Sequence, residues 1–449
     1  MLKNIKLGLW TILIGITGVW LLSNAPFSET LNFFKVRHLL VQYSGVITIA
    51  VMSIAMMLAL RPVWLEPWLG GLDKTYRLHK WLGISALIIA TSHWVAVNGP
   101  HWLVDLGLME SPQRKGSRHA MTQDSVNTLE KTLHDFRHTA ESIGEWAFYA
   151  VALLIALALI KRFPYRLFAK THTLIAIAYL ALVLHSVVLM DFAAWTQIQG
   201  IVIGLLLAAG SFSAVIILCQ QKAKRRQVEG IIETIHHIPD MKILETSIRL
   251  KDGWKGHKSG QFAFVKFDPE EGQHPFTIAS AWDADNPSIA FITKALGDYT
   301  ELLPEKLNIG DKAIVEGPYG TFTFDDSAPR QIWVGGGIGI TPFIARMKQL
   351  ALTPGTQVID LFHSTTELAP EALAKLTADA VAAKVKLHLF VDSRDGVLTG
   401  EKLRDIVPDW QSASVWFCGP AGFGTALCND LTKNGLPRGS FYQELFNMR

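Results

Sequence analysis

Four histidines in apolar stretches of the N-terminal half have spacings that could bind metal. His79 and His93 are 14 residues apart in one stretch, and His172 and His185 are 13 residues apart in another. At about 100° per residue, the first two would lie within about 40° of each other on one helix and about 21 Å apart along it. Neutral imidazole is a good ligand of haem iron. Two such helices could therefore hold two haems, each with two axial histidines.

The direction of the helices decides how these histidines pair. If both helices run the same way across the membrane, His79 pairs with His172. His93 then pairs with His185. An ideal helix would leave His172 and His185 about 140° apart, which predicts some overwinding of that helix. The alternative is that single histidines merely hydrogen-bond to loops or lipid head groups, but four in matching pairs favour metal ligation.

The elements that would position these histidines are membrane helices. Of the 449 residues, 49% are hydrophobic and only 18% are charged, against roughly 25% in soluble domains. A helix crossing about 30 Å of hydrocarbon needs roughly 20 apolar residues. Six spans are predicted, at Leu7–Ser28, Leu39–Leu60, Trp81–Val104, Trp146–Ile160, Thr171–Met190 and Phe192–Gln221. The first could be a signal peptide, but no small-residue cleavage site stands out, so we interpret it as a helix.

Charged residues beside the spans predict their orientation. Fourteen Lys and Arg flank one side and seven flank the other, which places both termini in the cytosol. A polar loop on the outer side is predicted after the third span, at residues 105–143, with a short helix around Ser125–Arg137. The net charge is only +3, so no basic field indicates a nucleic-acid partner. Cys219, Cys418 and Cys428 match no zinc or redox motif.

The composition becomes that of a soluble protein after residue 221. Strand-like segments such as Phe262–Phe267, bounded by Gly, Pro and Asp, predict an antiparallel β-barrel over residues 222–329. From residue 330, strands alternate with helices, which predicts a parallel, doubly wound α/β domain over residues 330–449. The predicted fold class is a multidomain membrane protein, with an all-α six-helix domain at residues 1–221 followed by these two domains.

Several motifs occur together and in a fixed order. His274-Pro-Phe-Thr-Ile-Ala-Ser280 precedes Val334-Gly-Gly-Gly-Ile-Gly-Ile-Thr-Pro-Phe343, which precedes Cys418-Gly-Pro420. With the histidine pairs, this set resembles the flavocytochrome b superfamily of ferric reductases and NADPH oxidases, in a bacterial single-chain form. The match covers nearly the whole chain except the first helix and the loop at 105–143. The resemblance implies FAD, two b-type haems on the four histidines, and NADPH or NADH as the electron donor.

The resemblance also assigns the flavin site. The His-Pro-Phe-Thr segment of the family lines the flavin, which implicates His274, Pro275, Phe276, Thr277 and Ser280. A second segment resembles the diphosphate site, where a glycine opens a helix whose amides face the anion, and it contributes Lys294, Gly297, Asp298, Tyr299 and Thr300. Lys294 stands where many relatives have Arg, so it keeps the charge and loses the bidentate fork. Without the resemblance, the segments would be an ordinary strand and a solvated lysine.

The glycine-rich segment predicts a nucleotide phosphate site, because it follows a strand and opens a helix. Its residues are Gly335, Gly336, Gly337, Gly339, Thr341 and Pro342. Gly337 and Gly339 would let the backbone approach phosphate, and Pro342 suits the first helical turn. The Gly-x-Gly-x-x-Pro form looks like the ferredoxin reductase type. After the second strand, His363-Ser-Thr-Thr-Glu367 offers hydroxyls such as that of Ser364 but also an acid, and Arg394 after the third strand could compensate. The resemblance to the family favours NADPH over NADH.

The C-terminal motifs predict the site of hydride transfer. In the resembled family, Cys418, Gly419 and Pro420 lie by the nicotinamide and the flavin edge; the alternative for Cys418 is a buried strand-end thiol. The tail resembles one that places an aromatic ring over the flavin where nicotinamide must stack. Phe446 is predicted to supply that ring, with Tyr442 as the alternative. Cys418 and Phe446 are therefore the predicted catalytic residues.

The predicted function is electron transfer across the bacterial inner membrane. The resemblance implies hydride transfer to flavin in the cytosol, followed by single electrons through the inner and then the outer haem. The acceptor is a ferric chelate or dioxygen, which would give superoxide. An outer-side redox protein is an alternative acceptor, although no obligate protein partner is evident. A non-redox transporter or sensor is a further alternative, but it would not need four spaced intramembrane histidines.

Overall fold

The computed structural model describes residues 2–24, 32–109, 135–160, 162–219, 226–268, 271–367 and 369–444. Their contacts divide the chain into two units. We call residues 2–62 and 75–222 the helical unit, and residues 63–74 with 223–448 the sheet unit. The short helix expected around Ser125–Arg137 falls almost entirely outside the described residues.

Six long helices carry the apolar sequence of the first half. They are α1 (Leu2–Ser23), α2 (Phe33–Leu58), α3 (Leu72–Asp105), α4 (Arg137–Leu159), α5 (Tyr165–Leu189) and α6 (Ile198–Leu218). All six are long and apolar enough to cross a membrane. The prediction of six spans is confirmed, and the chain is an integral membrane protein.

Four of these helices are longer than predicted, and α3 and α4 gain the most residues. α4 begins at Arg137 rather than Trp146, and α3 begins at Leu72 rather than Trp81. Both added segments contain charged residues. They therefore lie outside the charge-free stretches from which the spans were predicted. A helix tolerates them because charges one turn apart can pair, as Arg137 Nε does with Glu141 at 3.3 Å.

The first half of the sheet unit is an antiparallel barrel, as predicted. Its six strands follow the order β4-β3-β6-β1-β2-β5. They are β1 (Gln227–Ile238), β2 (Ile243–Leu250), β3 (Phe262–Lys266), β4 (His274–Thr277), β5 (Ser288–Lys294) and β6 (Lys312–Tyr319), with α7 (Asp298–Lys306) between the last two. An antiparallel bridge from Ile278, just after β4, to Phe291 in β5 joins the two edge strands and closes the sheet.

The second half is a parallel sheet of order β11-β10-β7-β8-β9, also as predicted. Its elements are β7 (Arg330–Gly336), α8 (Thr341–Leu352), β8 (Val358–Thr365), α9 (Pro370–Ala382), β9 (Lys386–Val391), α10 (Gly400–Ile406), β10 (Ser414–Cys418), α11 (Ala421–Lys433) and β11 (Phe441–Glu444). Alternate residues of β7 enter different cores: Trp333 packs on one face, and Ile332 and Val334 pack on the other. Burial on both faces explains why these strands are almost continuously hydrophobic.

Candidate functional site

Two pairs of imidazole rings face each other between α3 and α5. The ring centres of His79 and His172 are 5.9 Å apart, and those of His93 and His185 are 6.5 Å apart. Two metal–imidazole bonds of about 2.0 Å, plus roughly 1.1 Å from each nitrogen to its ring centre, would give about 6.2 Å. Each pair therefore has the separation needed to hold one metal ion between two axial imidazoles. The structure brings the four predicted histidines together in the predicted pairs.

Main-chain oxygens hold three of the four rings through Nδ1. The distances are 2.8–3.0 Å, from His79 to Ala55, from His93 to Val41 and from His185 to Ala140. Because a carbonyl only accepts, Nδ1 carries the hydrogen and Nε2 keeps its lone pair. Hydrogen bonds of this kind fix the orientation of metal-binding histidines. The rings are thus prepared to ligate through Nε2.

Two glycines leave room for His93 and His185, which we call the outer pair after their predicted side of the membrane, and sequence reasoning did not identify these glycines. A Cβ on Gly144 in α4 would overlap the imidazole of His185. A Cβ on Gly45 in α2 would lie 3.3 Å from Cε1 of His93. Glycine in a helix costs about 1 kcal/mol relative to alanine, so a glycine inside an apolar span is a signal of close packing.

A cavity of about 590 Å³ surrounds the outer pair. Apolar side chains of α2, α3, α4 and α5 form most of its wall, including Ile49, Met52, Leu87, Val151 and Leu182. Polar side chains also line it, including Arg37, His38, Gln42, Asn98, Glu141 and Glu145. This volume lies within the usual range of cofactor sites, about 300–1,000 Å³. Facing imidazoles beside apolar walls and charged groups fit a haem, whose ring is apolar and whose edge is charged.

The unequal histidine spacing does not break α5. The helix is α-helical from Tyr165 to Leu189, so the predicted overwinding does not occur as a 3₁₀ or π segment. The two rings instead contact different neighbours. His172 stacks on Phe168 of its own helix, with ring centres 5.1 Å apart, whereas His185 lies against α4. Different side-chain directions of His172 and His185 therefore compensate for the 13-residue spacing.

Arg37 in α2 supports the C-terminal end of α3. Pro100 has no N–H, so the carbonyl of Ala96, four residues earlier, loses its helical donor. Arg37 Nε donates to the oxygen of Ala96, and its Nη2 donates to that of Val97, both at 2.9 Å. This contact holds α2 on α3 about one turn beyond His93. Sequence reasoning missed it, although a proline inside a span signals an unpaired carbonyl.

The predicted flavin strand is β4 of the barrel. His274 stacks on Tyr299, with ring centres 4.0 Å apart and planes within 13°. Burial lowers the pKa of His274 to about 4, so the imidazole is neutral at pH 7. The buried hydroxyl of Thr277 has no hydrogen-bond partner among the described residues. Buried polar groups rarely stay unpaired, so this hydroxyl fits the predicted flavin contact.

Other predicted flavin residues are spread along the same barrel. Pro275 and Phe276 pair with β3. Ser280 lies just beyond β4, where its hydroxyl accepts the N–H of Ala290 at 3.1 Å, so this group already has one partner. Lys294 ends β5. The barrel therefore places Ser280 just beyond β4 and Lys294 at the end of β5, and these are the two strands that meet where it closes.

The predicted diphosphate turn begins α7, with Gly297 before its first residue, Asp298. The hydroxyl of Thr300 accepts the N–H groups of Leu296 and Gly297 at 3.0 and 3.2 Å. Two amides at the predicted anion site are therefore bonded within the turn. The N–H groups of α7 itself would have to supply the contacts to a diphosphate.

The glycine-rich segment packs against the segment after β10. Gly335 and Gly336 end β7, and a 3₁₀ turn over Gly337–Ile340 leads to Thr341 and Pro342 at the start of α8. Gly337 has a φ of +55°, which favours glycine. A Cβ on Gly339 would overlap the backbone of Cys418, and one on Gly336 would lie 2.8 Å from Pro420. These glycines bring the turn against Cys418, Gly419 and Pro420, so the two predicted nucleotide segments are in contact.

One predicted determinant of NADPH preference is compromised. Ser364 lies opposite Gly336 in the sheet, next to the glycine turn. Arg394, however, donates to its neighbour Asp395, from Nε at 2.9 Å and from Nη2 at 2.8 Å. This carboxylate neutralises the guanidinium, so Arg394 is a weaker partner for a 2′-phosphate than the sequence suggested.

The end of β10 holds a buried thiol. Cys418 is fully buried, and burial raises the pKa of its thiol well above the usual value. The thiol is therefore protonated at neutral pH, which suits contact with a ligand but not nucleophilic attack.

Glu444 is a candidate residue of the site around Cys418, and sequence reasoning missed it. It lies opposite Cys418 in β11, and burial raises the pKa of its carboxyl to about 8, with Asp73 raising it further and Lys74 opposing. The carboxyl is therefore mostly protonated at pH 7. The sequence signal that could have identified Glu444 is an acidic residue within an aromatic C-terminal segment.

The assignment of Phe446 as the aromatic ring over the flavin stays a prediction. Tyr442 stacks on Trp416, with ring centres 4.1 Å apart and planes within 12°. Its ring is thus already engaged, which disfavours the alternative assignment. Phe446 lies outside the described residues.

Known proteins resemble both halves of the chain. The family described as "Ferric reductase like transmembrane component" matches residues 44–183, and the family described as "FAD-binding domain" matches residues 234–323. Flavohemoprotein A of Dictyostelium discoideum is 24% identical over 251 residues, which are 50% of this chain and 63% of that protein. The glycine betaine monooxygenase reductase subunit of Chromohalobacter salexigens is 24% identical over 207 residues, which are 42% of this chain and 56% of that protein.

The chain thus spans less than two thirds of the length of these curated relatives. Among solved structures, the ferredoxin reductase in carbazole 1,9a-dioxygenase superposes with a TM-score of 0.43 and 17% identity, over 49% of this chain and 69% of that chain. The first match includes His79, His93 and His172 but ends before His185, and the second covers most of the barrel. A region similar to a ferric reductase-like transmembrane component is thus followed by a region similar to an FAD-binding domain, which is the architecture of the flavocytochrome b-type ferric reductases and NADPH oxidases.

Proposed function

We propose that this protein passes electrons from NAD(P)H, through FAD and two b-type haems, to an acceptor on the outer side of the membrane. The observation that carries the proposal is the facing of imidazoles at two levels of α3 and α5, 5.9 and 6.5 Å apart. The sequence spacings separate the two levels by about 20 Å along the helices. A structural role would not require imidazoles to face each other at both levels.

Specific residues would hold each haem and the flavin. His79 and His172 would hold the inner haem, and His93 and His185 the outer haem. When bound, FAD converts a two-electron donor into a one-electron source, and haem carries single electrons. The carbonyls of α2 and α4 fix the imidazoles, and the apolar side chains around the outer pair exclude water. Thr277 offers an unpaired buried hydroxyl to the flavin.

Sidedness follows from the charges beside the spans. The excess of Lys and Arg supports a cytosolic sheet unit in the bacterial inner membrane, with the pair at His93 and His185 towards the outside. NAD(P)H is a cytosolic donor, so this orientation puts the donor and the acceptor on opposite sides.

The polar groups near the outer pair favour a hydrated acceptor. Arg37, His38, Glu141 and Glu145 line the same cavity as His93 and His185, which suits a water-borne ferric chelate better than an apolar passage would. Dioxygen, reduced to superoxide, is the other acceptor of this class. An outer-side redox protein is the alternative.

The experiment compares acceptors after anaerobic reduction. FAD-loaded protein in detergent is reduced with NADPH or NADH, and reoxidation of the haem Soret band is followed after adding ferric citrate or oxygen. Fast reoxidation by ferric citrate supports a ferric reductase, and fast reoxidation by oxygen with matching superoxide supports an oxidase. Slow reoxidation by both supports a protein acceptor. A protein without a Soret band would refute the proposal and leave a transporter or sensor.

A further inference from the structure

The loop between α2 and α3 belongs to the sheet unit. Residues 63–74 group with the barrel rather than with the helices they connect. A short helix at Glu66–Leu69 is followed by Gly70 and Gly71, whose φ values of +83° and +117° turn the chain sharply into α3. Leu72 begins α3, and His79 follows seven residues later, about 10 Å along the helix. The first turn of the helix that carries His79 is therefore anchored in the sheet unit.

Glu66 makes the central contact of this loop. Its side chain is buried, with only 4% of the residue exposed, and its Oε2 accepts the N–H of Gly320 at 2.8 Å. Gly320 directly follows β6, and its own carbonyl accepts from Nε2 of Gln261 at 3.1 Å. Gln261 directly precedes β3, which pairs with the flavin strand β4. One chain of hydrogen bonds thus joins the loop to strands next to the predicted flavin site.

Close packing reinforces the contact. A Cβ on Gly71 would lie 3.2 Å from the hydroxyl of Thr321, so the backbone of the loop lies directly on the residue after Gly320. On its other side, Gly320 lies near Glu444, since a Cβ there would be 3.7 Å from Oε1 of that carboxyl. The loop and the end of β11 therefore meet around Gly320.

Few charges compensate the buried carboxyl of Glu66. Arg226 and Lys74 attract it, and Asp73 repels it, but Asp73 and Lys74 already pair at 2.7 Å. Glu66 Oε1 has no hydrogen-bond partner among the described residues. Burial therefore dominates and raises the pKa of Glu66 from 4.5 to about 7. Docking the loop takes up a proton between pH 4.5 and 7, so docking is strongest when Glu66 is protonated and weakens as pH rises through 7.

We propose that Glu66 is a positioning residue for electron transfer: its carboxyl clips the loop at residues 63–74 to Gly320 and so holds the first turn of α3, the helix that carries His79. The proposal rests on the proposed function, because it assigns His79 to the inner haem. Among the described residues, Glu66 hydrogen-bonds to Gly320 and to Gly70 and Gly71 of its own loop, outside the nucleotide motifs, so we expect hydride transfer to the flavin not to depend on it.

The kinetic test separates the two transfer steps in the full-length protein. Stopped-flow absorbance follows flavin bleaching by NADPH and then reduction of the Soret band. Glu66→Ala is expected to slow haem reduction at least tenfold while flavin bleaching changes less than twofold. Glu66→Gln, which can still accept the N–H of Gly320, is expected to restore the rate. Glu305→Gln, an exposed change on α7, is the matched control and should alter neither step.

Hydrogen exchange tests the clip without relying on turnover. From the raised pKa, protection of the Gly320 amide should fall about tenfold between pH 6 and pH 8, after correction for intrinsic exchange. Glu66→Gln should remove this pH dependence, and Glu66→Ala should remove most of the protection. This pattern would show that the carboxyl of Glu66 itself holds the Gly320 amide, and the rate of haem reduction then decides whether the clip acts in electron transfer.

The outcomes are distinguishable. Wild-type protection of Gly320 that does not change with pH, or Glu66→Ala with normal haem reduction, would overturn the positioning role. Slowed haem reduction rescued by Glu66→Gln, with pH-dependent protection, would support it. Absence of a Soret band in the wild type would refute the proposed function instead, and the exchange result would still decide whether the clip exists.

Discussion

Substitution of Gly144 by alanine tests the geometry of the outer pair. The added Cβ would overlap Nδ1, Cε1 and Cγ of His185, so the ring must retreat by roughly 1 Å or more or α4 must move away. Overpacking of this kind costs about 1–3 kcal/mol. The retreat also breaks the 2.8 Å hydrogen bond from Nδ1 to Ala140, worth about 1 kcal/mol. Misplacement of a reacting group by about 1 Å can cost roughly 100-fold in rate.

We therefore expect Gly144→Ala to lose the outer haem and keep the inner one. The assay is haem content per flavin, measured by pyridine haemochrome, together with ferric citrate turnover, which should fall about 100-fold. Gly83→Ala is the matched control, because a Cβ at that glycine of α3 would meet no atom within 4 Å. Full haem content and normal turnover in Gly144→Ala would refute the placement of His185.

Four further outcomes follow from the same structure. His93→Ala should leave NAD(P)H-dependent flavin bleaching intact and abolish turnover with ferric citrate; normal turnover would exclude the two-haem path. Phe446→Ala should change the rate of hydride transfer in stopped flow and Tyr442→Ala should not, whereas the reverse pattern would reassign the stacking ring. Arg37→Ala removes the side-chain donor to the Ala96 carbonyl, which Pro100 cannot bond, so it should cost about 1–3 kcal/mol and lower the temperature of haem loss; an unchanged temperature would contradict its role. Cys418, buried with a raised pKa, should resist iodoacetamide at pH 8 until the protein is denatured, and rapid labelling would show the thiol to be accessible.

The parts of the fold that follow from local periodicity could be predicted from the sequence. Six apolar segments and a later alternation of strands and helices each depend on residues close together in the chain. The histidine pairs could also be predicted, because helix geometry relates residues 13 or 14 positions apart. The lengths of α3 and α4 could not, since their charged first turns are stabilised by contacts rather than by hydrophobicity.

The supporting residues could not be predicted because their partners are distant in sequence. Glu66 bonds to Gly320, 254 residues later, and Arg37 bonds to Ala96, 59 residues later. Glu444 depends on the parallel register of β10 and β11, which places it opposite Cys418. Pairing between close neighbours was also not predicted: Asp395 accepts from Arg394, and Thr300 accepts the N–H groups of Leu296 and Gly297. Residue type alone does not show whether a side chain is already paired.

The most direct test of the account is the haem content and absorption spectrum of the purified, FAD-loaded protein under anaerobic NADPH. The account predicts two low-spin haems per chain, both reduced by NADPH, with one remaining in His93→Ala. A protein whose flavin is bleached by NADPH but which binds no haem would contradict it. So would a haem spectrum that neither His79→Ala nor His93→Ala alters.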